Sequence, residues 1–250
     1  MATIYESILK AKSENRKLLA ILLDPDKIDW ESIDKLIGKI NESPATHIFI
    51  GGSLVFSNKI DELIVTIKSN CELPIVLFPG NPSQISNKAD GILFLSLISG
   101  RNPDYLIEHQ VKAAPILQKS NLEIIPTGYM LIGTENKTAV AKVSQTQPMN
   151  VENPNLISQT ALASQMLGQK LIYLEAGSGA QFPVPLEIIC NVSETISIPL
   201  IVGGGITSVE GIENAYNSGA DMVVIGTAFE NDSDFFIKQK PVPCALNPEP

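Results

Sequence analysis

PLIVGGG at residues 199–205 and MVVIGTA at residues 222–228 are apolar runs that break off in glycine. A strand that is apolar at successive positions is covered on both faces, as parallel strands flanked by helices are. Glycine at its end lets the backbone turn sharply and come close to a ligand. Six runs upstream repeat the design: LLAILLD (18–24), HIFIGGS (47–53), IVLFPG (75–80), GILFLS (91–96), LEIIPTGY (122–129) and KLIYLEAG (170–177). Helical periodicity fills several of the intervals. Ile33, Leu36, Ile37 and Ile40 follow the i, i+3, i+4, i+7 spacing, and Ile60, Leu63, Ile64 and Ile67 repeat it. Ile107, Val111 and Ala114 mark another apolar helix face, as do Val209, Ile212 and Tyr216. Strand, crossover helix, strand throughout predicts an α/β protein, a (β/α)₈ TIM barrel. An open doubly wound sheet shares the same periodicity, because a pattern of strands does not report closure.

The chain of 250 residues has the length of one such barrel, so a single domain over 1–240 is expected, with the proline-rich end, 241–250, as a disordered tail. The segment 130–169 is too long for an ordinary connection. It holds two possible helical pieces split by Pro148, Asn153 and Pro154, and reads as a lid or oligomer contact elaborated after the fifth strand. The eighth helix is expected to be short, since residues 231–250 offer little periodicity. Net charge is −9, which argues against a nucleic-acid face, because neutralising phosphates needs clustered Lys and Arg. Cys71, Cys190 and Cys244 are odd in number and widely spaced, which suits neither a disulfide framework nor a zinc site. The N-terminus lacks the order of a signal peptide, and no apolar run approaches the ~18 residues of a membrane span. A cytoplasmic protein is expected.

In such a barrel the functional residues gather where the strands end. Here those ends carry Asp24, Gly51-Gly52-Ser53, Pro79-Gly80, Ser96, Thr127-Gly128, Glu175, Gly203-Gly204-Gly205 and Gly226-Thr227. Glycine clusters after strands seven and eight let backbone N–H groups cradle a phosphate, although glycines also simply make tight turns. Thr207 and Ser208 are candidate caps for the helix beginning near Val209. Asp24 can hold a hard cation such as Mg²⁺ against a diphosphate, or cap a helix; Ser53 has the same two options. Glu175 interrupts an apolar strand, where desolvation would raise its pKa toward that of a useful proton acceptor. Its alternative is an ion pair, with Lys27 as partner. Tyr173, two residues earlier, shares the strand face of Glu175 and is either a ligand contact or core. His47, His109, Trp30 and the cysteines are read as solvated or structural residues, and no nucleophile–histidine pair is visible.

The ordered motifs LLDPDK, IFIGGS, LFPGNPSQIS, ADGILFLSLISGRNP, IIPTGY, YLEAGSGA, VGGGI and MVVIGTAFE resemble those of the geranylgeranylglyceryl phosphate synthases of archaea and some bacteria, from the first strand through the eighth. The resemblance implies transfer of a polyprenyl group from its diphosphate to the 3-hydroxyl of sn-glycerol 1-phosphate, with pyrophosphate released. It implies that Asp24 and Ser53 are the Mg²⁺-site residues. Glycerol phosphate would lie against Tyr173, Leu174, Glu175, Ala176, Gly177, Ser178, Gly179, Gly204, Gly205, Gly226 and Thr227, with Glu175 as the base. A homo-oligomer and transient contact with a membrane surface are implied as well. Relatives in the bacterial heptaprenyl branch carry Lys where this chain has Leu22, which favours the geranylgeranyl-using branch. Two rival readings are a phosphosugar isomerase with Asp24 and Glu175 as its acid/base pair, and a phosphate-sensing regulator; the acidic balance weighs against the latter as an RNA binder.

Overall fold

The computed structural model describes residues 2–53, 55, 58–133 and 138–238, with residues 237 and 238 described by their backbone alone. The expected tail at 241–250 lies outside the described residues. Eight parallel strands run in sequential order: β1 (Leu18–Leu23), β2 (His47–Ile50), β3 (Ile75–Leu77), β4 (Gly91–Leu97), β5 (Glu123–Leu131), β6 (Leu171–Glu175), β7 (Leu200–Gly203) and β8 (Met222–Ile225). β1 pairs with β8, Leu19 opposite Val223 and Ile21 opposite Ile225, so the sheet closes and the open-sheet alternative is excluded.

Alternation along the strands splits the core in two. Leu19, Ile21, Ile48, Ile50, Leu174 and Val202 face outward against the helices. Ala20, Phe49, Val76, Leu93, Tyr129, Tyr173, Ile201 and Val224 fill the barrel interior. Helix α1 (Ile4–Ser13), unanticipated from the sequence, precedes β1 and sends Ile8 and Ala11 into that interior cluster. It begins with a capping box between Thr3 and Glu6, and the Glu123 carboxylate accepts hydrogen bonds from the backbone N–H groups of Ile4 and Tyr5.

The crossovers are α2 (Ile33–Glu42), α3 (Ile60–Lys68), α4 (His109–Leu117), α6 (Pro154–Met166), α7 (Leu186–Thr195) and α8 (Val209–Asn217), with a short α5 (Ala139–Ser144) between β5 and α6. α2, α3 and α8 bury the faces that their spacing predicts. α4 does not. Ile107 and Val111 are exposed, as is Ala114, and the buried face is Gln110, Ala113 and Leu117. A π-helical turn at Asp104–Glu108 leads into α4, and its extra residue per turn displaces a face read on a 3.6-residue period.

The 130–169 interval divides as its prolines suggest: α6 is the ordinary fifth crossover, and α5 belongs to the rim. α5 is tied down by Asn102 Nδ2 donating to Ser144 O at 2.7 Å and by the Tyr105 hydroxyl donating to Val143 O at 3.2 Å. The eighth helix is reduced to α9 (Thr227–Asn231) and α10 (Phe235–Lys238), which bury Phe229 and Phe235 against the outer core.

Candidate active site

At the strands' C-terminal ends lies a cavity of about 320 Å³. Its walls include Tyr173, Glu175, Gly177, Ser178 and Gly179 from β6 and its exit, Gly204 and Gly205 after β7, and Gly226 and Thr227 after β8. Asp24 and Ser53 complete the rim on the β1–β2 side. Leu174 and Ala176 are not among the lining residues: their side chains pack in the outer core, since strand alternation turns them away from Tyr173 and Glu175. Thr207 lines the cavity while Ser208 caps α8, its Oγ accepting from Gly211 N at 3.0 Å, so the two hydroxyls divide the roles.

Glu175 is buried at the end of β6, and its Oε1 accepts a hydrogen bond from Gly177 N at 2.7 Å. Burial pushes its pKa up to about 7, against the lowering effect of that amide and of the Tyr173 phenol beside it. A carboxyl group tuned to that value exchanges a proton near neutrality. Tyr173 is fully buried, and its hydroxyl has no aligned hydrogen-bond partner in the protein. Desolvation first, and the neighbouring carboxylate second, hold that phenol protonated far above its ordinary range. Phe78 stacks on its ring at 5.2 Å, and Tyr129 leans against it at 5.3 Å.

The glycines after β7 make room for this pair. A Cβ on Gly203 would meet the Tyr173 hydroxyl, and one on Gly204 would fall onto the Glu175 carboxylate. Gly204 also has φ +81°, a conformation that costs an L side chain energy. The cavity therefore needs glycine here for both shape and backbone.

Lys27 does not pair with Glu175. Its Nζ lies 3.4 Å from Asp24 Oδ2 and 3.1 Å from Glu230 Oε2. Burial works to lower the Lys27 pKa, but Glu230 and Asp24 together outweigh it and the pKa is raised. Asp24 does cap the 3₁₀ turn Pro25–Lys27, with Oδ1 accepting from Asp26 N at 3.1 Å, and its other oxygen faces Lys27. Among the described residues no cluster of three or more His, Cys, Asp or Glu side chains is placed to hold a metal. Glu230 escaped the sequence reading because its partners, Lys27 and Asp24, lie about 200 residues away in the chain; its place four residues beyond Gly226 was the available signal.

Beside the cavity runs an apolar groove lined by Phe78, Leu93, Leu95, Leu97, Ala113 and Val143, among others. Gly52, Ser53, Phe78, Tyr129 and Val140 line both spaces, so the groove opens onto the same rim. His109 lines it too, its ring edge-on to Tyr105 at 4.7 Å, with its pKa lowered by burial. His47 is buried at the opposite end of the barrel, where β2 begins; desolvation, then Arg16, push its pKa down to about 4.

The model of the PcrB family matches residues 11–240. The chain belongs to that family. Geranylgeranylglyceryl phosphate synthase of Flavobacterium johnsoniae is 65% identical over 94% of this chain and 97% of its own length. The protein of the same name from Pyrococcus furiosus is 39% identical over 90% of each. The solved structure of (S)-3-O-geranylgeranylglyceryl phosphate synthase from Thermoplasma acidophilum, in complex with sn-glycerol-1-phosphate, superposes with a TM-score of 0.87 at 33% identity over 93% of both chains. The tryptophan synthase α-subunit of Pyrococcus furiosus, at 14% identity and a TM-score of 0.57, shares the barrel fold alone. Family membership and the barrel thus agree with the resemblance carried by the motifs.

Proposed function

We propose that this protein forms the ether bond between sn-glycerol 1-phosphate and a polyprenyl diphosphate, geranylgeranyl diphosphate first among them. The observation that carries the reading is the shared rim of two unlike spaces. One is a glycine-walled cavity holding a proton-accepting carboxyl, and the other is an apolar groove suited to a hydrocarbon chain. A phosphosugar isomerase has no use for the groove.

The glycerol 3-hydroxyl oxygen attacks the allylic carbon, the carbon–oxygen bond to the diphosphate breaks, and Glu175 accepts the hydroxyl proton. Glycine backbone at Gly204, Gly205 and Gly226 lets the unreactive phosphate approach closely, and the Tyr173 hydroxyl donates to the bound substrate. Holding both substrates at one rim supplies orientation, which contributes much of the barrier reduction in bimolecular transfers. The oxygen donors at Asp24 and Ser53 are few, which fits a hard cation that keeps water and substrate phosphates among its ligands. Those two residues would hold Mg²⁺, whose charge favours departure of pyrophosphate.

No helix among the described residues is long and apolar enough to cross a membrane. A cytoplasmic homo-oligomer that meets a membrane surface transiently, to collect and release its lipids, suits this chemistry. Incubation with Mg²⁺, radiolabelled glycerol 1-phosphate and a panel of prenyl diphosphates, followed by solvent extraction, tests the proposal. Label in the lipid phase is expected; its absence with every chain length refutes the transferase.

A further inference from the structure

Two phosphorylated substrates converge on a cavity that, among the described residues, has one cationic side chain in its lining, Lys27. That cation is already engaged. The Asp24 and Glu230 carboxylates flank it, with Glu230 Oε1 also accepting from Asp24 N at 3.1 Å. Glu230 thereby ties the exit of β8 to the exit of β1, and both carboxylates are mostly shielded while the Lys27 side chain is half-exposed. A lysine stem has four rotatable carbons and carries a compact charge, so its head can change partner without moving the backbone.

We infer that Lys27 is a diphosphate-binding residue, parked between Asp24 and Glu230 until the anionic substrate arrives, with Glu230 as the positioning residue that keeps it at the rim. Two carboxylates around one ammonium leave a net negative charge, which repels a diphosphate. A cation shared with Asp24, or taken from solution with the substrate, relieves that repulsion and leaves the ammonium free to turn toward phosphate oxygens. The contact of Lys27 with Asp24 sets its ligand: Asp24 is the carboxylate that would hold the cation of the diphosphate, and the Lys27 ammonium lies 3.4 Å from it. Leu22, which also lines the cavity, supplies no charge there, so the task falls to Lys27.

The inference rests on the transferase reading for the identity of its anion, and binding measurements separate the two. Inorganic pyrophosphate is titrated calorimetrically into the full-length protein at fixed Mg²⁺, using wild type, Lys27→Gln and Lys27→Arg, with sn-glycerol 1-phosphate titrated in parallel. Loss of one charge-assisted contact is expected to weaken pyrophosphate binding in Lys27→Gln by about tenfold or more. Lys27→Arg is expected to restore most of it, and glycerol phosphate affinity to stay within about twofold of wild type in both variants. Pyrophosphate affinity unchanged in Lys27→Gln, or an equal loss for both ligands, overturns the assignment. A wild-type protein that makes extractable lipid while Lys27→Gln binds pyrophosphate normally loses this inference alone. One that makes no lipid, yet binds pyrophosphate through Lys27, loses only the transferase.

Discussion

Glu175→Gln removes a carboxyl group whose ionisation the folded barrel opposes, so it trades activity for stability. Burial raises this group from 4.5 to about 7. Below pH 4.5 the side chain is protonated in folded and unfolded chains alike, and its contribution is at its most favourable. Between 4.5 and 7 the unfolded chain releases the proton while the folded one still holds it, so stability falls as pH rises, and the fall is complete above about 7. At 1.36 kcal/mol for each pH unit, the gap corresponds to about 3 kcal/mol. Glutamine is neutral throughout, has nearly the same shape, and its Oε1 can still accept from Gly177 N, the bond that is 2.7 Å in the wild type. The variant is therefore expected to match wild type near pH 4.5 and to exceed it by up to about 3 kcal/mol at pH 8, or roughly 6–12 °C in Tm for a chain of this size. Chemical denaturation at 25 °C across pH 5 to 8 measures the difference. Turnover is expected to fall by at least about a hundredfold, the scale of general-base catalysis, while glycerol phosphate still binds. A stability difference that does not grow with pH would refute the burial argument, and near-normal turnover would remove Glu175 as the base.

Three other substitutions probe the same rim. Tyr173→Phe deletes a buried, unpartnered hydroxyl, so stability is expected to hold or rise slightly by thermal melting. Glycerol phosphate affinity should fall about tenfold by calorimetry, as for one lost hydrogen bond. Gly204→Ala places a methyl on the Glu175 carboxylate at φ +81°; about 1–3 kcal/mol of stability and essentially all turnover should be lost, and an active, equally stable variant would show that the wall is not needed. Asp24→Asn is expected to raise the Mg²⁺ concentration required for half-maximal activity, and an unchanged requirement in metal titrations would argue against Asp24 as a ligand.

The eight strands and their order were legible in the sequence because a strand buried on both faces must be apolar at successive positions, and a parallel barrel makes every strand such a strand. The rim was legible for the same reason: a glycine or charge that ends an apolar run, as at Asp24, Glu175 and Gly203-Gly204-Gly205, stands out against it. Alternation placed Tyr173 and Glu175 on one face and turned the side chains of Leu174 and Ala176 to the other. Local pattern is ambiguous where both faces of a segment carry apolar residues. α4 is such a segment, and the barrel chose Gln110, Ala113 and Leu117 over Ile107 and Val111. Pairings across the closed sheet carry no local signal at all. Lys27 meets Glu230 across 203 positions of chain only because β8 closes on β1. The sequence alone determined the eight strands, their order and the residues that end them; closure into a barrel, which of those residues touch, and which carboxyl loses water enough to titrate near neutrality were decided by the tertiary structure, because pairing and burial carry no local signal.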